Sequence, residues 1–349
     1  MRSEAIAPLV NVSTARGHAA RFAAFALLFG AGVALGAEPQ EWLERMNKAL
    51  TTRNYIGVFT HNHGGRVETL RIIHRVRGKD ISERLLSLDG PGREFIREGD
   101  ELTCYLPDRR EVLVERRAPD SPLVAVPTVD ADNSTVYEIR GGERERLLNR
   151  TTRLVTLNPR DQYRYGYRLW IDEQTSMPLK TQLCDQTGAV IEQIVFSAID
   201  LPERIPDSMF KPQVDASTYR WLRADRQVVA ATTAPALWDA MRLPPGFRMA
   251  TRSAQSLPGS SEPVAHLVFT DGVASVSVFV EPRKPDSAPA EGPARVGSSS
   301  AFSTVVDGHQ VTAVGEVPPT TVELIAKQVK ASKAAAATEG LGLAPQRRK

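Results

Sequence analysis

The chain has little cysteine, no apolar run of the ~20 residues that a membrane-spanning helix needs, and almost no net charge once its ends are set aside. Two cysteines, Cys104 and Cys184, allow one disulfide at most. The formal charge of +3 comes from the ends: residues 1–36 carry +2 and residues 332–349 carry +3, which leaves −2 for the body. A near-neutral body with interspersed signs offers no electrostatic footprint for nucleic acid. Catalytic signatures are missing too. There is no Gly-x-Ser-x-Gly elbow, no His-Glu-x-x-His and no Gly-rich phosphate cradle. No catalytic residue, cofactor or metal site is therefore assigned, and the chain reads as a binding protein rather than an enzyme.

What is present is strand periodicity. Residues 163–200 read as three strands joined by turns at 172–176 and 185–188. Tyr163, Tyr165, Tyr167, Leu169 and Ile171 alternate with Arg164, Gly166, Arg168 and Trp170, which puts the tyrosines on one face and mostly basic residues on the other. Leu179, Thr181 and Leu183 alternate likewise. The third strand, 190–199, is apolar on both faces apart from Glu192, Gln193 and Ser197. Such a meander is a scaffold, and its greasy face suits the wall of a cavity.

Upstream, residues 1–36 have the form of a secretory signal: a basic start with Arg16 and Arg21, a 14-residue apolar run at 22–35, and small residues at 34–36. The expected mature chain opens with an amphipathic helix carrying Trp42, Leu43, Met46, Ala49 and Leu50. Strands are expected at 55–62, 66–77, 81–88, 93–98, 101–106 and 111–116, separated by Gly, Pro and Asp turn signals. An antiparallel sheet of that size can curl into a barrel or half-barrel. Residues 117–150 interrupt the pattern, and Pro119, Pro122 and Pro127 among Leu123, Val124 and Val126 suggest a loop over the open mouth.

Three prolines within 201–212 mark a domain boundary. Beyond it the pattern predicts a short helix at 234–241, a hairpin around Asp271-Gly272 and a second around Asp307-Gly308. A mobile loop is expected at 282–300, and a helix opened by Pro318 and Pro319 over 318–331. The tail from 332 onward has no apolar period.

His61 and His63 share a strand face at the i, i+2 spacing some metal sites use, with His74 the nearest third candidate. Hydrogen-bonded histidines beside a Gly-Gly turn are the stronger reading. Arg71, Arg75, Arg77, Arg164 and Arg168 could form a basic face for an anionic headgroup, although an ordinary solvated face fits better. In an oxidising compartment Cys104 and Cys184 could be bridged, or they could be two buried thiols.

Several stretches together resemble the periplasmic sigma-E regulatory proteins called RseB or MucB. They are WLERMNKAL with NYIGVFTH, ETLRIIHRV, ERLLSLDGPGREFIREGDELTCYLPD, RYGYRLWIDEQTSMPLK, LPPGF, FTDGVASVSVFVE and VTAVGEVP, in that order over 42–319. One departure is Leu148-Asn149-Arg150, where the family usually has Ala-Gly-Arg. The resemblance implies an α+β chain: a large N-terminal antiparallel half-barrel similar to LolA, with helices in its concavity, and a smaller C-terminal α+β domain. The expected limits are signal 1–36, lipid-sensing domain 37–204, linker 205–219, C-terminal domain 220–331 and disordered tail 332–349.

It further implies a periplasmic negative regulator that binds the periplasmic part of a membrane-spanning anti-sigma factor and shields it from site-1 proteolysis. Acylated lipoprotein or lipopolysaccharide would release it. A lipid carrier is the alternative, and a homo-oligomer stays open. The expected lipid-binding residues are Tyr163, Tyr165, Tyr167 and Leu169. The expected partner-binding residues are Phe269, Val276, Val278 and Phe279.

Overall fold

The computed structural model describes residues 38–116, 123–124, 134–224, 238–255, 264–283 and 290–331. The expected signal, the tail, and most of the apolar loop at 117–133 lie outside them. The N-terminal part is one helix, α1 (Pro39–Thr52), and a twelve-stranded sheet. Its strands are β1 (Tyr55–His63), β2 (Arg66–Arg77), β3 (Asp80–Ser87), β4 (Glu94–Glu98), β5 (Glu101–Leu106) and β6 (Glu111–Arg116). There follow β7 (Tyr137–Leu147), β8 (Arg150–Pro159), β9 (Gly166–Asp172), β10 (Pro178–Cys184), β11 (Val190–Asp200) and β12 (Arg220–Ala224).

The spatial order is β12-β6-β5-β4-β3-β2-β1-β11-β10-β9-β8-β7. Two meanders, β1–β6 and β7–β11, thus meet along β1 and β11, with Ile56 opposite Asp200 and His63 opposite Glu192. The sheet is open, as expected of a half-barrel, and not a closed barrel. At the seam of the meanders Gly57 makes room for a ring. A Cβ there would stand 2.4 Å from Phe196.

Tyr137–Leu147 is a strand, where the sequence predicts only a covering loop. β7 is a mostly exposed edge strand, so its residues show no apolar alternation. The β7–β8 turn is Leu148-Asn149, with φ of +50° and +61°. Two successive left-handed residues suit a two-residue hairpin of type I′. Leu148 carries about 1–2 kcal/mol of local strain in that region, while Asn149, which tolerates it, stands where the family usually has glycine. β9 starts at Gly166, so Tyr163 and Tyr165 precede the strand instead of opening it.

α1 lies in the concavity because its apolar stripe matches the greasy face of β7–β9. Trp42, Leu43 and Met46 are buried against Tyr137, Val155, Leu157, Leu169 and Ile171. Burying side chains of this size stabilises by about 1.5–3 kcal/mol each. The helix is started by Pro39 in its first turn and closed by the Arg53 amide donating to the Ala49 carbonyl.

The convex face is covered by residues expected to be a linker. Ile205, Met209 and Phe210, the last two in a 3-10 turn at Asp207–Phe210, pack on Ile56 and Ile73. Arg75 lies over the Phe210 ring and donates to Asp207 Oδ1 at 2.6 Å. Val214 and Ala216 continue over Ile96, Tyr105 and Val112. Strand 220–224, expected to open the C-terminal domain, instead ends the large sheet as β12, parallel to β6.

Cys104 sits on β5 and Cys184 on β10, with five strands between them, and no disulfide joins them. Both are buried. Titrating the unfolded, unreduced protein should therefore find two thiols; finding none would contradict this arrangement.

The C-terminal domain is a six-stranded antiparallel sheet in the order β14-β15-β16-β19-β18-β17. The strands are β14 (Arg248–Gln255), β15 (Val264–Thr270), β16 (Ser275–Pro282), β17 (Gly292–Val296), β18 (Ser299–Val306) and β19 (His309–Gly315). Helix α2 (Pro319–Gln328) covers one face through Val322, Ile325 and Ala326. It stops at Gln328, and Val329–Ala331 forms β20, paired with β13 (Trp238–Ala240). The helix predicted at 234–241 is thus a three-residue strand where it is described, too short to show alternation. The stretch expected as a mobile loop holds β17, a short and mostly exposed edge strand whose Gly292 and Pro293 read as a loop.

Candidate functional site

A cavity of about 330 Å³ lies between the concave face and the C-terminal domain. That volume falls at the lower end of the ~300–1,000 Å³ usual for small-molecule sites. One side is apolar: Phe59 on β1, Leu70 on β2, Leu85 on β3, Ile194 on β11, and Leu123 and Val124 from the covering segment. The other side is polar, with His61, Tyr167, Thr181, Glu192 and Gln193. Val273, Ala274, Ser275 and Glu316 of the C-terminal domain complete the wall. A smaller pocket of about 20 Å³ shares Val124, Thr181 and Ile194 and reaches Leu50 of α1.

The covering segment is tied to the sheet by a buried charge. The Leu123 amide donates to Glu83 Oε2 at 3.0 Å. The same carboxylate meets Arg97 Nε at 3.0 Å and His74 Nδ1 at 2.9 Å. Burial alone would raise the Glu83 pKa, but the His74 hydrogen bond and the Arg97 charge outweigh it and hold it below the ordinary carboxylate value.

The C-terminal wall is positioned by one arginine. Asp271, whose Asp-Gly signal marks the β15–β16 hairpin, accepts the Val273 and Ala274 amides through Oδ1. Its Oδ2 receives Arg164 Nη1 at 2.6 Å, with both side chains fully buried. Arg164 also donates to Asp161 and to the Pro245 carbonyl, and lies between the rings of Tyr137 and Phe247. Nearby, Thr321 Oγ1 donates to the Tyr163 carbonyl at 2.7 Å. The bends around Tyr163 and Arg164 therefore belong to the contact between domains.

At the polar end His61 Nε2 lies 2.9 Å from Glu192 Oε1, and the His61 ring stacks on His63. Ser298 Oγ donates to Glu316 Oε1 at 2.9 Å. Burial pushes the Tyr167 phenol far above its ordinary value, and the neighbouring Glu316 and Glu192 carboxyl groups push it further. Among the described residues no group of three His, Cys, Asp or Glu side chains is disposed to hold a metal ion. His74 is held elsewhere, stacked on Tyr55.

Of the tyrosine face, Tyr167 lines the cavity, whereas Leu169 is packed under α1 and Tyr163 and Tyr165 precede the strand. The alternation is real, but α1 occupies the part nearest β8. Of the apolar hairpin, Phe269, Val276 and Val278 are fully buried under α2 and are corrected from partner surface to core. Phe279 points to the other face, where its ring stacks on His266. Three of the five arginines of the expected basic face are in ion pairs, Arg75 and Arg77 with Asp207 and Arg164 with Asp271, and Arg168 donates to the Gly188 carbonyl. Nothing in the spacing of His61, Glu192 and Glu316 along the chain marks them as one group. Glu192 left a trace as a lone acid in an apolar strand, but Glu316 left none.

The sequence profile of the MucB/RseB N-terminal domain matches residues 38–214, and that of the MucB/RseB C-terminal domain matches residues 232–330. The sigma factor AlgU regulatory protein MucB of Pseudomonas aeruginosa is 30% identical over 305 residues, 86% of this chain and 93% of that protein. The sigma-E factor regulatory protein RseB of Escherichia coli K12 is 28% identical over 307 residues, 87% of this chain and 94% of that protein. A crystal structure of MucB in complex with periplasmic MucA superposes with a TM-score of 0.65 at 25% identity, covering 84% of this chain and 99% of that one. The Pseudomonas aeruginosa MucA/MucB complex gives 0.64 at 27%, with the same coverage. The two domain profiles, in order and over nearly all described residues, establish that the chain belongs to the MucB/RseB family.

Proposed function

We propose that this chain is a periplasmic negative regulator that binds the periplasmic segment of a membrane-spanning anti-sigma factor, shields it from site-1 proteolysis, and lets go when an acylated lipoprotein or lipopolysaccharide enters the cavity. The observation that carries the reading is the composite wall: Val273, Ala274, Ser275 and Glu316 close a cavity whose floor is the N-terminal sheet. An acyl chain growing into that space pushes on the C-terminal domain. A ligand shifts a conformational equilibrium only by its differential affinity for the two states, and a wall shared by two domains supplies that difference. MucB bound to periplasmic MucA supports the partner half of the reading. Phe279, half-buried beside His266, is the residue of the hairpin set that a partner segment can still touch. A lipid carrier would need the cavity but not the second domain as its wall.

The test fills the cavity. Thr181 is half-buried, faces the cavity from β10 and takes part in no side-chain hydrogen bond described above. Thr181→Trp should weaken binding of a triacylated lipopeptide at least tenfold, about 1.4 kcal/mol. It should leave affinity for the purified periplasmic segment of the cognate anti-sigma factor unchanged and abolish displacement of that segment by the lipopeptide. Simultaneous, independent binding of both by the unaltered protein would overturn the release mechanism.

A further inference from the structure

Two carboxyl groups face each other across the boundary between the N-terminal sheet and the C-terminal domain. Glu192 comes from β11, and Glu316 from the link between β19 and α2. Glu192 raises the Glu316 pKa across this boundary, and two carboxyl oxygens that approach each other can share a hydrogen bond only if one of them carries a proton. Ser298, in the β17–β18 turn, donates to Glu316 and also acts on Glu192. The turn itself touches the β1–β2 hairpin: a Cβ at Gly297 would stand 3.5 Å from His63 Nδ1. Both carboxyls line the cavity.

We propose that Glu192 and Glu316 share one proton across the domain boundary and that this proton fastens the C-terminal domain over the polar end of the cavity. The groups facing the pair decide which oxygen is charged. From β1, His61 bonds Glu192, and His63 stands directly opposite it. From β9 comes the phenol of Tyr167. Across β1 on β2, His61 is opposite Glu68, itself paired with Arg93, and His63 is opposite Arg66. The imidazoles are on the Glu192 side, so Glu192 holds the charge and Glu316 the proton.

The titration runs the same way. Burial raises the Glu316 pKa and Glu192 raises it further; burial also acts on Glu192, but His61 and Ser298 bring its pKa below the ordinary value. A group with a raised pKa in the closed form contributes fully below its ordinary pKa, and the contribution is lost as pH rises through the raised one. Between those two values, opening of the seam releases a proton and becomes up to about tenfold easier per pH unit. Above the raised value it levels off. The seam is thus fastened in mild acid and loosened toward alkaline pH. This holds whatever the cavity binds.

Hydrogen–deuterium exchange of the mature chain, corrected for intrinsic rates, reads the seam at Ser298–Ser300 and at His61–His63. In the unaltered protein, protection there should fall as pH rises above the ordinary carboxylate value of about 4.3, by up to ~tenfold per unit, while the core of β16 stays protected. Glu316→Gln supplies a permanent donor and should make protection independent of pH. Glu192→Gln should do the same and serves if the first variant folds poorly. A flat profile in the unaltered protein overturns the proposal. So does a slope that persists in both variants, which would assign the proton to His61 or His63.

Discussion

Arg164→Ala is expected to cost the chain about 3–5 kcal/mol of stability, the usual penalty for stripping one partner from a fully buried ion pair. The arginine meets Asp271 at 2.6 Å with neither side chain exposed. Removing it leaves the Asp271 carboxylate inside the protein with the Tyr137 hydroxyl and two turn amides as donors. The loss should appear in a denaturant melt, with the C-terminal domain released first. A double variant, Arg164→Ala with Asp271→Ala, should be less damaged than the sum of the two single changes. Strict additivity would show that the pair is not coupled and that Arg164 matters only for packing between Tyr137 and Phe247.

Glu83→Ala should be of similar size, again about 3–5 kcal/mol. Arg97 and His74, both buried, lose the carboxylate they face, and the Leu123 amide loses its acceptor. This variant also tests the pH dependence. Because the Glu83 pKa is depressed in the folded chain, its contribution is complete above the ordinary carboxylate value of about 4.3 and fades as pH falls through the folded one. The stability gap between the unaltered protein and Glu83→Ala should therefore narrow on acidification below about pH 4. A gap that stays constant from neutral to strongly acid pH would remove the ionised Glu83 from the account.

Strands with one buried face were readable. β6 and β16 alternate because the core takes every second side chain, and the Asp271-Gly272 turn announced itself by type. Strands with no buried face were not. β7 and β17 lie at sheet edges and are mostly exposed, and charged residues crowd both faces of β7, so Tyr137–Leu147 reads as a loop. Tyr167 could be placed in the cavity from its alternation. That Leu169, two residues on, lies under α1 depends on where that helix docks, which no local pattern states. Arg164 shows the same limit. Its fixed charge reads as a solvated face, and only the fold reveals Asp271 beside it. Phe269, Val276 and Val278 read as available surface because nothing in their spacing says that α2 covers that side and not the other.

The pairing of β1 with β11 sets an order on folding. β1 is followed by five strands that can zip up locally as soon as they are made, yet its other edge stays bare until residues 190–200 arrive. A chain released from its N-terminus onward would carry that open edge, with Phe59 uncovered, through the synthesis of nine further strands. Distant pairings of this kind slow folding and leave intermediates open to edge-to-edge association. This layout therefore calls for the bare edge to be shielded until β11 is made, and a delay before β11 should harm yield more than an equal delay after it.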